Sequence, residues 1–311
     1  MTAGSYMARK HVLFIGFPLF GSLNPFLELA KKVSKHHDVT FAISQCRIEE
    51  LEGRGFHTEN NSQGGSSFPY VTLYSLNDDA DIAEMEMTSP NPSTATIRKP
   101  MKDIFEGVNN SIEKLVKEVA TKDSPGSPET KLQRAVDAVI VDFFVLSGST
   151  AVCVERRIPF YVFSSSNALV PLQALLVDEN TPTRPGDVLD TMDEFDQMPN
   201  EDGQFEPLLN GGRVEQLLLP MRKAFMASRG VIMNSVREFE KELIDWMERS
   251  PIIQERQLFC VAPLSSEEEG VDTKNGQGRL IHLISYFMIN SLIWLTSVHL
   301  FQLTQFDLHS H

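Results

Sequence analysis

Short apolar runs alternate along this chain with longer stretches in which apolar residues recur every three or four positions. Runs at 12–17, 39–43, 70–74, 137–142, 159–163, 230–234 and 258–261 predict strands. Several are apolar throughout, as strands of a parallel sheet covered on both faces should be. Stretches at 25–35, 47–53, 97–121, 147–156, 165–177, 213–228 and 237–248 predict helices. The alternation implies right-handed βαβ units. It predicts an α/β fold, a single doubly wound parallel-sheet domain of Rossmann-like type. Asn24 and Pro25 read as N-cap and first residue of the first helix. An Asn side chain accepts from an orphan helix N–H, and Pro needs no donor at that position. Gly53 and Gly55 suit the C-terminus of the second helix.

Two polar connections, about 78–96 and 178–212, break the rhythm and are long enough to be either functional or mobile surface loops. The chain divides into a domain at 10–264, a polar linker at 265–279 and an apolar tail at 280–311. Between Arg279 and Asp307 no Lys, Arg, Asp or Glu occurs. The run Leu280 to Phe301 is long enough to cross a bilayer, which takes ~20 residues. Its flanks lack a basic cluster, and His282, Asn290 and His299 dilute it. Three readings of the tail stay open: a membrane contact through 280–301, which is not favoured; a helix buried or covered by a partner; or sequence never selected for a fold, as translated non-coding sequence would be.

Composition narrows the function. In 311 residues the hydrophobic share is 41% and the charged share 23%, the balance of a soluble globular protein. A net charge of −14 argues against a nucleic-acid or anionic-membrane surface. Much of it lies in 178–206, where ten acidic residues face a single Arg184, the pattern of a solvated loop. Cys46, Cys153 and Cys260 are odd in number and lack metal-ligand spacing, so they read as reduced thiols. The first ten residues contain no apolar core of a signal peptide, and a cytoplasmic location is expected.

Candidate chemistry gathers at strand ends. Asp142 closes the run Ala138-Val-Ile-Val-Asp142, and a carboxylate at the C-terminal end of a parallel strand faces the ligand crevice. It also suits the closing of a turn or the capping of the next helix. Phe163-Ser-Ser-Ser-Asn167 follows another strand. Its hydroxyls and amides suit either an anion or sugar site at a helix N-terminus or a plain helix cap. Gly16 and Gly21 flank the first turn, but GxGxxG is missing and a dinucleotide site is unsupported.

Five stretches, in order, resemble one family. They are Val12 to Ala30, Ala138 to Asp142, Phe163 to Asn167, the strand–turn–helix Gly230-Val-Ile-Met-Asn-Ser-Val-Arg-Glu-Phe-Glu-Lys-Glu-Leu243, and Phe259-Cys-Val-Ala-Pro-Leu264. Together they look like the N-terminal, acceptor-binding half of the plant and microbial UDP-dependent glycosyltransferases of GT-B fold. The last stretch has Ala262 where the family has Gly. That resemblance implies transfer of a hexose, with inversion, from a UDP-sugar co-substrate to a hydroxyl of a small lipophilic acceptor, with no metal and no further cofactor. It implies that Asp142 orients a catalytic base at the position occupied here by Ser22. It also implies that Ser165 lies near the transferred sugar, and that Phe20, Gly21, Phe143 and Asn167 belong to the donor and acceptor sites.

Two departures bear on activity. The family base is a His, and an alcohol cannot accept a proton at neutral pH as imidazole does; losing such a base costs roughly 10²–10⁴-fold in rate. Rescue by Asp142, directly or through water, is the one route the residues leave. His11 lies at the wrong end of the first strand, while His36, His37 and His57 read as surface residues. The family's donor-domain signatures do not occur in 265–311. Little or no transfer is therefore expected from the chain by itself, and a separate donor-domain chain or a full-length relative becomes an expected partner. The alternative is a non-catalytic small-molecule binding module or a decoy of full-length transferases.

Overall fold

The computed structural model describes residues 8–18, 20–58, 68, 70–78, 101–119, 132, 134–176, 218–261 and 264. Most of the two long polar connections, the linker and the apolar tail lie outside the described residues. The strand order of the sheet is β3-β4-β2-β1-β5-β6-β7-β8, and every recorded pairing is parallel. Tertiary contacts divide the described residues into two compact units, those of 8–161 with 264, and those of 162–261.

In the first unit β1 (His11–Ile15), β2 (Asp38–Ser44), β3 (His57–Thr58), β4 (Val71–Leu76) and β5 (Ala138–Asp142) alternate with helices. These are α1 (Phe20–Ser34), α2 (Ile48–Gly53), α3 (Met101–Glu118) and α4 (Leu146–Glu155). β1 is buried along its whole length and lies between β2 and β5. From β1 the chain builds outward through β2 to β4, then returns to the other flank of β1 with β5. The reversal between β1 and β5 is the topological switch point, beside which open α/β sheets bind ligands. Phe14, Phe26 and Phe41 form the aromatic core under α1, with ring centroids 5.1 to 6.0 Å apart. Gly16 continues β1 against that cluster, where a Cβ would come within 3.1 Å of the Phe41 ring.

The expected helix start is corrected: α1 begins at Phe20, and Pro25 lies inside it. Leu23, Phe26, Leu27 and Ala30 are all buried at helical spacing, and that apolar stripe carries the helix back through a residue that by itself would begin one. Asn24 is no N-cap; its Oδ1 accepts from Arg54 Nη1 at 3.0 Å. The expected end of α2 holds. Gly55 takes φ 86°, its N–H reaches the Glu52 carbonyl, and the Phe56 N–H reaches that of Leu51, the paired bonds of a Schellman motif. The same motif ends α4 with Arg157 at φ 55°, a position where glycine is the usual occupant. β3 was not foreseen, since two residues carry no period.

In the second unit β6 (Phe160–Ser164, shared across the boundary), β7 (Gly230–Met233) and β8 (Gln257–Cys260) accompany α5 (Leu169–Leu176), α6 (Leu219–Ala227), α7 (Lys241–Arg249) and a single turn, α8 (Pro251–Gln254). Gly230 is dictated by close approach, because a Cβ there would sit 2.3 Å from the Gln257 carbonyl oxygen on β8. Met221 and Phe225 of α6 and Ile244 and Met247 of α7 turn inward. Among the described residues no helix is long and apolar enough to cross a membrane.

Candidate functional site

The turn leaving β1 and the turn leaving β5 meet at the switch point. Ile15 pairs with Val141, so Asp142 stands one residue beyond the paired ends of the two strands. Extended backbone at Asp142 (φ −61°, ψ 137°) gives way to a 3-10 turn, Phe143–Val145, and Asp142 Oδ1 accepts from the Phe144 N–H at 2.9 Å. The turn-closing role is therefore real. It is not the only one. Ser22, in the first turn of α1, donates its hydroxyl to Asp142 Oδ2, and the Phe17 N–H supplies a third hydrogen bond. One carboxylate thus ties the β1–α1 turn to the β5–α4 turn across 120 residues of sequence.

Asp142 is 0% exposed, and burial pushes its carboxyl up to about 7 against the pull of the Phe144, Ser22 and Phe17 donors. Desolvation disfavours the ionised form, while three donors favour it; here desolvation prevails. Ser22 retains 3% exposure, so of the pair it is the member with any open surface. Phe143 is buried, Phe144 is half-buried, and their rings lie 4.0 Å apart, with Phe17 at 5.4 Å from Phe144. Gly21 is half-buried in the first turn of α1. Phe20 opens that helix, and its side chain lies outside the described residues.

The turn carrying Phe17 and leading to Ser22 is held from below. Arg47, only 2% exposed, donates Nε to the Pro18 carbonyl at 2.8 Å and places Nη1 3.3 Å from Glu50 Oε2. A buried guanidinium needs acceptors of this kind, since an unpaired one would carry a large desolvation penalty.

In the second unit, Ser165 and Asn167 fall into a separate polar cluster. Ser164 and Ser166 share a hydroxyl–hydroxyl bond of 2.8 Å, and Ser166 also donates to the Asn167 carbonyl. Ser165 is buried; its carbonyl accepts from Asn234 Nδ2 at 3.5 Å. At the helix entry considered as an anion site, the Ala168 amide is taken by the protein itself. Glu240 accepts the Ala168 N–H on both carboxylate oxygens at 3.1 Å and the Ser235 hydroxyl as well. A carboxylate at that place satisfies the amide just ahead of α5, as the Glu of a capping box satisfies the N-cap amide. Burial raises the Glu240 carboxyl above its ordinary value, opposed by the Ser235 and Ala168 donors.

His11 begins β1, buried, with Nε2 2.8 Å from Thr40 Oγ1. His36 is exposed; His37 and His57 are half-buried. Among the described residues no group of His, Cys, Asp and Glu is arranged to hold a metal ion. Phe17, Arg47 and Glu240 went unsingled in the sequence. Phe17 acts through its backbone, and Arg47 looks like any surface cation of a helix start. Glu240 alone left a trace, as the last acid of the strand–turn–helix beginning at Gly230.

No family model matches the chain. UDP-glycosyltransferase 71D1 of Arabidopsis thaliana is 25% identical over 163 residues, which is 52% of this chain and 32% of that protein. Among solved structures, LpCGTa in complex with UDP superposes with a TM-score of 0.57 at 18% identity, over 84% of this chain and 56% of that one. A UDP-glucosyltransferase from Polygonum tinctorium capable of glucosylating indoxyl gives 0.53 at 20% identity over 83% and 53%, and Medicago truncatula UGT71G1 complexed with UDP-glucose gives 0.50 at 20% over 88% and 56%. The chain thus spans about half the length of these solved structures and shares their fold.

Proposed function

We propose that residues 10–264 are the acceptor-binding half of a UDP-sugar-dependent glycosyltransferase, acting on a hydroxyl of a small lipophilic acceptor. One observation carries this reading: Ser22 and Asp142 are hydrogen-bonded beside the switch point, the kind of place at which open α/β sheets bind ligands. The similarity to a plant UDP-glycosyltransferase and the UDP-bound state of a structural neighbour support a nucleotide-sugar donor. In this reading Asp142 supports proton removal, Ser22 meets the acceptor, Gly21 and Phe143 shape its surroundings, and Ser165 and Asn167 serve the sugar. The donor half would come from the remainder of a longer protein or from a partner chain. Three unpaired cysteines suit a cytosolic setting.

Calorimetric titration with a panel of phenols and other lipophilic alcohols tests the binding half directly. Micromolar binding supports the reading; failure of the whole panel removes it. Mixing the chain with the donor-binding half of a structural neighbour and measuring UDP release then tests transfer. Ser22→His should raise that rate by roughly 10²–10⁴-fold, the contribution of a placed general base. A second reading, a non-catalytic binding module, is favoured by Ser22 standing in the base position. It predicts acceptor binding with no UDP release in any such mixture.

A further inference from the structure

We propose that His11 is an acid-released latch. Its neutral ring holds the entry of β5 against the start of β1, and uptake of one proton lets that entry open. The latch lies at the opposite end of the sheet from Ser22 and Asp142 and is independent of what binds there.

The hydrogen bonds fix which ring nitrogen carries the hydrogen. His11 is 5% exposed, and both nitrogens have partners. Nδ1 lies 3.3 Å from the Ala135 carbonyl, which can only accept, so Nδ1 is the donor. Nε2 is then bare and accepts from the Thr40 hydroxyl at 2.8 Å. Protonation puts a second N–H against Thr40 Oγ1 and obliges that buried hydroxyl to turn its own hydrogen elsewhere. The charges around the ring do not offset this cost. Arg9 and Lys10 precede β1, His37 lies in the turn before β2, Asp38 begins β2, and Arg134 and Asp137 lie on the segment entering β5. Asp38 is shared by Arg9, at 2.8 Å, and Arg134. Asp137 accepts the His11 amide at 2.9 Å and lies 3.8 Å from Lys10. Both acids are thus committed to cations outside the ring. Burial holds the imidazole below its usual value, against the pull of the Ala135 and Arg134 carbonyls; the Arg134 guanidinium lowers it further and Asp38 raises it.

What gives way is decided by how each neighbour is held. β2 pairs with β1 from His11 and Asp38 to Ile15 and Ala42, and cannot leave without dismantling the sheet. Residues 134–137 form no strand. Asp137 joins them to His11 through its amide, 2.8 Å from the His11 carbonyl, and through its carboxylate. Moving this segment admits water to the imidazolium and breaks few hydrogen bonds. β5 begins at Ala138 and ends on Asp142, so the latch secures one end of the strand whose other end carries the candidate site. A ring lowered by folding contributes fully above its unfolded value of about 6.5, and the contribution is lost as pH falls toward the folded value. Acid is therefore the trigger.

NMR of the imidazole rings in the full chain, with amide hydrogen exchange followed from about pH 7 down to about 5.5, tests the latch. At neutral pH the His11 ring should be the Nδ1–H tautomer. It should stay uncharged at about pH 6, where an ordinary histidine is mostly charged. Protection of the Asp137 amide, corrected for the intrinsic pH dependence of exchange, should fall below about pH 6.5 by up to roughly tenfold per unit, the limit for one proton taken up on opening. The Phe56 amide, bonded to the Leu51 carbonyl at the end of α2, should keep its protection. His11→Gln can donate and accept but does not charge in this range, and should hold the Asp137 protection flat. His37→Gln should leave the wild-type fall intact. An Nε2–H tautomer, a ring charged at about pH 6, or a fall that survives in His11→Gln overturns the proposal. So does an equal loss at Phe56, which is unfolding of the whole rather than of one segment. If His11→Gln fails to fold, the wild-type tautomer and the contrast between Asp137 and Phe56 decide the matter.

Discussion

Two carboxylates, one in each unit, Asp142 buried and Glu240 half-buried, are built from the same parts and do different work. Asp142 and Glu240 each accept a serine hydroxyl and backbone amide hydrogen, and each is raised by burial above its ordinary value. Asp142 takes its amides from two turns beside the switch point and its hydroxyl from Ser22, 120 residues earlier. Glu240 takes its hydroxyl from Ser235, five residues back, and reaches 72 residues for the Ala168 amide. The first carboxylate joins the turns that leave β1 and β5. The second holds the amide at the entry of α5. The same chemical group ties two strand-end turns together in one unit and holds a helix entry in the other.

The sharpest way to break the comparison is Asp142→Ala. It strands two buried amides and a hydroxyl, and should lower stability by about 3 kcal/mol, each unsatisfied group costing roughly 1–3 before relaxation. Urea unfolding at neutral pH measures it. Next comes pH. The folded-state carboxyl of Asp142 is raised from 3.8 to about 7, so its contribution is full below the unfolded value and is lost as pH rises through the folded one. Stability of the wild type should fall between about pH 4 and 7 at up to about 1.4 kcal/mol per unit from this group. Asp142→Asn should flatten that slope in denaturation curves taken across the range. A slope unchanged by the substitution would deny Asp142 its raised value. Glu240→Gln should change the profile in the same sense but less, because Glu240 is only half-buried.

Smaller effects follow. Glu240→Ala removes the acceptor at the entry of α5 and should cost about 1 kcal/mol in urea unfolding, as cap losses do. Ser235→Ala should cost less still, about 0.5–1 kcal/mol for one hydrogen bond. A larger loss there than at Glu240 would mean that Ser235 holds the turn by itself rather than through the carboxylate.

Much of this was legible from the chain. All seven foreseen strands exist, each within two residues of its expected ends, because apolar runs buried on both faces have no competing pattern. Asp142 was legible as the acid ending such a run. The early start of α1 was not, since Pro25 is a local stop signal and the buried stripe that overrides it involves Phe14 and Phe41 of the sheet. Arg47 was hidden by its charge; only the Pro18 carbonyl and Glu50 make its burial tolerable. The pairing of Glu240 with Ala168 joins residues that no local spacing connects.

By itself, the sequence determined the alternation of strands and helices, the glycines at Gly16, Gly55 and Gly230, and the acid at the end of β5, because these follow from periodicity, from backbone sterics and from strand ends. Tertiary structure decided which hydroxyl faces that acid, how strongly it holds a proton, and whether a helix N-terminus is open or filled. Those depend on burial and on hydrogen bonds between distant residues, and solvent exclusion exists only once the chain has folded.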